Sequence, residues 1–183
     1  MLNILKALFF TVAMTLVSTA SYAENWGIRF DQMPVGTEYD IKDQTGDKWT
    51  YKFVGKKGKF YIVKKTSHQT KQNSRQKYNA MGHFVSNTYN DGYKFKRYPH
   101  SCYEVVGRCT HVQSGHKWSG KYVYNIKQVS PTKRVGTWRR VNTEETRDFK
   151  YTLGKYNIVV YTEHMYQGNK KFTKMTRLTV PSN

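Results

Sequence analysis

Six histidines, two cysteines and a thin supply of acids are the side chains with which this sequence could do chemistry. The histidines are His68, His83, His100, His111, His116 and His164, and three of them, His100, His111 and His116, cluster around the cysteines. A metal centre needs three or four ligands converging at recognisable short spacings. His111 and His116 stand five apart, which turns them to opposite faces of a shared strand, and no His-Glu-x-x-His or Cys-x-x-Cys motif occurs. No metal and no cofactor are expected. General acid and base work offers His111, His116, Glu163 and His164 as its candidates, yet Glu163 and His164 are adjacent and face opposite ways on an extended chain. A small secreted hydrolase such as a nuclease could gather such groups from distant strands. Serine-hydrolase, P-loop and dinucleotide motifs are missing.

Cys102 and Cys109 are separated by six residues. In an exported chain such a pair is expected to form a disulfide, worth about 2.5 kcal/mol in the chain-entropy model for so short a loop. A redox role would want Cys-x-x-Cys in a thioredoxin-like βαβ setting, which the sequence lacks.

Export itself is read from the first segment. Lys6 precedes the apolar run Ala7 to Val17, and Ser21 and Ala23 supply small residues at a cleavage site, so residues 1–23 form a signal peptide with Glu24 as the mature start. The apolar run is too short to span a bilayer, no second run of spanning length follows, and no cysteine follows the site to take a lipid. A periplasmic or extracellular location is expected for residues 24–183, a length that suits one domain.

The charge is strongly biased. The chain carries +19, or +18 once Lys6 leaves with the signal. Between Lys48 and Asn90 there are ten Lys or Arg and no acid. A field of one sign recruits polyanions. The candidate binding surface is the hairpin bearing Lys52, Lys56, Lys57, Lys59, Lys64 and Lys65, with Lys94, Lys96 and Arg97 beside it. Its expected partner is an anionic envelope component or polyanion: lipid, glycan or nucleic acid.

These residues must be positioned by strands, because two-residue alternation recurs along the chain while helical periodicity is nearly absent. Trp49, Tyr51 and Phe53 share one face, and Thr50 and Lys52 the other. Hairpins are predicted around residues 55–58, around Asn90-Asp91-Gly92 and around Gln167-Gly168-Asn169, with a long strand over 117–129. Residues 67–80 read as a polar loop or short helix, and 132–147 as an irregular connection. The 15 tyrosines and 4 tryptophans are mostly sheet core, with residues 93–98 as a possible ring-and-cation platform.

The expected fold is all-β: an antiparallel meander of about eight to ten strands forming a barrel-like or curved two-layer sheet. The expected function is an exported, non-catalytic binding or envelope-associated protein with a cationic surface. The alternatives are the small secreted hydrolase and, since a meander around a cavity is lipocalin-like in general design, a carrier of an apolar small ligand. An outer-membrane barrel is disfavoured, because Lys64-Lys65 and Lys170-Lys171 put cations on both strand faces.

Overall fold

The structure is a computed structural model that describes residues 27–115, 119–166 and 169–182. Residues 1–23, read from the sequence as a signal peptide, and His116 lie outside the described residues.

Twelve strands run in sequence order: β1 (Glu38–Asp43), β2 (Lys48–Lys57), β3 (Phe60–Ser67), β4 (Asn73–Tyr78), β5 (Phe84–Tyr89), β6 (Lys94–Tyr98), β7 (Gly107–Ser114), β8 (Gly120–Ser130), β9 (Lys133–Arg140), β10 (Thr146–Leu153), β11 (Val159–Tyr166) and β12 (Asn169–Thr179). Each pairs antiparallel with its neighbour, and β12 returns to β1, so the sheet closes into a barrel without a free edge. The all-β meander is as expected, with two more strands than the upper count. The additional strands fall where the sequence looked irregular. Residues 67–80 contain β4, and 132–147 contain β9 and the start of β10.

Alternation decides which side chains turn inward. Trp49, Tyr51 and Phe53 face Ser67, Lys65 and Val63 across β2 and β3, while Lys52 faces Lys64 outside. Opposite them Tyr122, Tyr124 and Ile126 of β8 pair with Arg140, Trp138 and Gly136 of β9. Phe149 of β10 pairs with Gly136. That glycine is required, because a Cβ there would lie 2.5 Å from the Asn125 carbonyl and 3.0 Å from the Phe149 ring.

An eight-stranded barrel is just filled by its own side chains, and a twelve-stranded one is wider. Two segments fill the excess at one end. The first is the approach to β1: Ile28, Phe30 and Met33 are buried, and Phe30 packs with ring centroids 5.0 Å from Phe53, 5.2 Å from Tyr61 and 4.9 Å from Tyr78. Its backbone crosses the barrel end, with the Gly27 and Ile28 amides donating to the carbonyls of Met81 and Gly82, and the Arg29 amide to that of Tyr156. Gly82 has φ +75, and a Cβ on it would stand 1.9 Å from the Ile28 carbonyl, so only glycine admits this crossing.

The second is the stretch between β6 and β7, stapled by the Cys102–Cys109 disulfide. The Ser101 amide donates to the Phe84 carbonyl, and Tyr103 stacks 5.2 Å from Phe149 and 4.9 Å from Tyr151. The Tyr151 hydroxyl donates to the Tyr103 carbonyl at 2.9 Å, and Arg134 donates to the Glu104 carbonyl at 2.9 Å. These two segments, with the short turn Lys155–Asn157, seal one end; the opposite end, where β1 meets β2 and β9 meets β10, is the mouth.

Outside, mid-strand positions of β2, β3 and β4 carry Lys52, Lys64 and Arg75 in one register row. A cation facing mid-bilayer costs about 2 to 4 kcal/mol, so this wall is not the apolar band of a membrane barrel. Among the described residues no helix is long and apolar enough to cross a membrane.

Candidate functional site

Above the seal, between the walls of β6 to β11, lies a cavity of about 560 Å³ that opens towards the mouth. Inward positions line it: Arg97 of β6, His111 of β7, Tyr122 and Tyr124 of β8, Trp138 of β9 and Arg147 of β10. Thr162 and His164 of β11 close the far side, and Tyr103 and Phe149 lie lower down.

The wall is aromatic. Trp138 meets Tyr122 edge-on at 5.5 Å and Tyr124 at 6.5 Å, and His111 stacks 5.4 Å from Tyr124. Such rings offer flat apolar area with few rotamers to freeze.

Cations sit among the rings. Arg147 lies 4.9 Å from the Trp138 ring centroid and forms an ion pair with Glu145 at the rim. Arg97 lies 5.3 Å from the Phe84 ring; its Nε donates to Gln113 Oε1 and its Nη1 to Ser101 Oγ, each at 3.0 Å. Both acceptors are neutral.

Several interior groups titrate away from their usual values, Glu104, His111 and His164 among them. Burial pushes the Glu104 carboxyl up to about 7, opposed by the charge of Arg97, a hydrogen bond with Ser101 and the charge of Arg134. The phenols of Tyr78, Tyr103, Tyr124 and Tyr151 also face it. Its Oε2 is buried with no hydrogen-bond partner among the described residues. Burial drives His111 down to about 3, helped by Arg97 and His100, so the ring is neutral and its Nδ1 accepts from the Cys102 amide at 3.3 Å. His164 is also lowered, by burial and then by Arg147 and Lys171.

The residues singled out in the sequence separate between the two faces. His111 and His164 meet in the cavity, whereas Glu163 is outside, bound by Lys150, Lys170 and the Tyr161 hydroxyl. Lys170 and Tyr161 hold its carboxyl well below the ordinary value. The proposed acid–base set is therefore split by the sheet itself. Among the described residues no group of three His, Cys, Asp or Glu could hold a metal ion.

The cationic hairpin needs two corrections. Lys65 points into the barrel, 5.0 Å from the Trp49 ring and 5.4 Å from Tyr51, because the β2 to β3 register places it opposite Tyr51. Arg97 is likewise an inward residue, while Lys94 and Lys96 face out. Lys52 is on the exterior but paired with Glu38 at 2.9 Å. Lys56 lies 5.8 Å from the Tyr61 ring and Lys59 5.7 Å from Phe60. Lys57 and Lys64 are exposed.

Sequence reasoning missed the cavity wall of β9 and β10, Trp138 and Arg147. The signal for it was the alternation of Arg134, Gly136, Trp138 and Arg140, which mixes cation, glycine and ring on one face.

A larger depression, about 650 Å³, lies on the outer wall across β7 to β11, with Val135 and Met165 on its floor. Of its charged lining Glu163 pairs with Lys150, while Arg108, Lys127 and Asp148 stand beside them.

No family model matches the chain, and no curated protein matches it. Among solved structures, one match is a "putative lipoprotein" from Parabacteroides distasonis ATCC 8503, with a TM-score of 0.36 and 14% identity over 84% of this chain and 99% of that one. A likeness at that level assigns no function.

Proposed function

We propose that this is an exported, non-catalytic binding protein that holds a small ligand inside its barrel. The observation that carries this reading is a lumen sealed at one end by two inserted segments and left open at the other, with an aromatic cavity of about 560 Å³ between. That volume falls within the range of about 300 to 1,000 Å³ typical of small-molecule sites. Export rests on Lys6, the apolar run after it and the small residues Ser21 and Ala23. Catalysis is disfavoured by the opposite facing of Glu163 and His164 on β11.

The test is a titration with the neutral fluorophore N-phenyl-1-naphthylamine. Saturable binding is expected for the native chain and its loss in Thr162→Trp, which fills the lumen. Equal binding by both proteins overturns the lumenal site.

A second reading is favoured by one observation on the exterior. Strands β3 to β6 contain no acid, and Lys64 stands directly opposite Arg75, a like-charged pair that costs stability. With Lys77, Lys94 and Lys96 this wall suits a polyanion of the envelope. Affinity for heparin that falls steeply with salt supports this surface; salt-independent retention counts against it.

A further inference from the structure

We propose that the lumenal ligand is a small anion on a flat apolar body, its charge seated on Arg97 and its body against Tyr122, Tyr124 and Trp138. This deepens the lumenal reading and rests on it.

Among the described residues, Arg97 is the charged side chain of the cavity wall that makes no ion pair and whose hydrogen-bond partners are both neutral. Its Nε and Nη1 donate to Gln113 and Ser101, which leaves Nη2 with no acceptor among the described residues. No carboxylate lies within ion-pair distance of it among those residues. The other cation of the wall, Arg147, is matched by Glu145. His111 is held neutral by burial, and His164 is shifted in the same direction. Glu104, which makes no ion pair with Arg97 but feels its charge, is held protonated up to about 7 by burial, so below that pH the cavity carries about one unmatched positive charge, which one carboxylate, sulfonate or phosphate oxygen pair can satisfy through charge-assisted hydrogen bonds.

The rest of the ligand is set by the wall. Tyr122, Tyr124 and Trp138 are contiguous, with ring centroids 5.5 to 6.5 Å apart across β8 and β9, and they present ring area to the space that Arg97 lines. A planar apolar body gains most from such a surface. A cationic ligand would meet Arg97, and a neutral one would leave it desolvated without a counter-charge. A polymeric anion belongs to the exterior, since the seal blocks passage through the barrel.

Two probes of one shape separate the charge from the body: naphthalene-2-carboxylate and its neutral carboxamide, titrated by calorimetry into the full mature chain. The carboxylate is expected to bind at least about tenfold tighter, the range set by one charge-assisted hydrogen-bond pair. Arg97→Gln is expected to abolish the carboxylate's advantage over the carboxamide, and Trp138→Leu to weaken both probes. Equal affinities in the native chain overturn the anion assignment while the lumenal site stands, and this comparison needs no variant to fold. Binding of neither probe, or binding indifferent to both Trp138→Leu and Thr162→Trp, overturns the lumenal site together with the assignment.

Discussion

Arg177 Nε lies 2.9 Å from the Asp40 carboxylate, and this pair ties the last strand of the barrel to the first. Asp40 is only 1% exposed although it is on the outer side, because Lys48 at 2.9 Å and the Thr50 hydroxyl at 2.6 Å cover it too. The closing seam is therefore clamped by one carboxylate with three partners.

Removing that carboxylate leaves Lys48 and Arg177 without their shared acceptor. Asp40→Ala is expected to cost about 3 kcal/mol, read as a lowered urea midpoint, whereas Arg177→Gln costs less because Lys48 remains. Burial pushes the Asp40 pKa up, but hydrogen bonds from Thr50, Lys48 and Arg177 outweigh it and hold the value below 3.8. The clamp's contribution is present above that pH and lost as pH falls below it. A native-like midpoint in Asp40→Ala would show that the seam is held by backbone pairing alone.

Glu104 and His111 pull stability in opposite directions with pH. Glu104 keeps its proton up to about 7 when folded and releases it near 4.5 when unfolded, so its contribution is complete at low pH and declines as pH rises through that window. His111 stays neutral down to about 3 when folded but takes a proton near 6.5 when unfolded, so its contribution declines as pH falls below 6.5. Where the windows overlap the native chain is expected to show a shallow profile. Glu104→Gln should unmask a rise of stability with pH there, measured by denaturant midpoints across the range. An unchanged profile sinks the assignment.

Glu104 also shares Arg97 with any bound anion. An ionised Glu104 competes for that guanidinium, so carboxylate affinity is expected to fall as pH rises through about 7, and to lose that dependence in Glu104→Gln. Calorimetry on either side of that pH checks both statements.

Phe30 is the centre of the seal. Phe30→Ala deletes a ring that is 3% exposed and touches three others, and is expected to cost about 3 to 5 kcal/mol. Gly82→Ala should be comparably harmful for a different reason, the collision with the Ile28 carbonyl and the positive φ. If thermal unfolding of both variants matches the native chain, the crossing segment does not hold the barrel end.

Lys64 and Lys65 differ by which face they occupy. Lys64→Gln is expected to reduce heparin affinity and its salt dependence, while Lys65→Gln leaves both unchanged and instead loosens the packing over Trp49 and Tyr51. Equal effects on heparin would place both side chains outside.

The strands most legible in the sequence are those with an apolar inward face, as with Trp49, Tyr51 and Phe53, or with a clear turn signal, as around Asn90-Asp91-Gly92. Those missed, β4 and β9, turn Ser74, Gln76 and Tyr78, or Arg134, Gly136 and Trp138, inward. Apolar–polar alternation vanishes when the inner face carries buried polar groups such as Ser74, Gln76 and Arg134, which is what hid β4 and β9. Register explains the errors in the cationic surface as well. Counting charge along the chain cannot distinguish Lys64 from Lys65, since facing follows from β2 pairing with β3. The disulfide was legible because seven positions of sequence separation suit only a local bridge.

The seal has an orientational consequence. Gly27 crosses the barrel at the sealed end, and β12 finishes at Thr179 beside Glu38, with Pro181 3.2 Å from where a Gly36 Cβ would stand. Both ends of the described chain thus leave from the same pole. A tether, fusion partner or immobilising tag joined at either terminus would hold the barrel like a cup by its base, with the aromatic lumen facing away from the support.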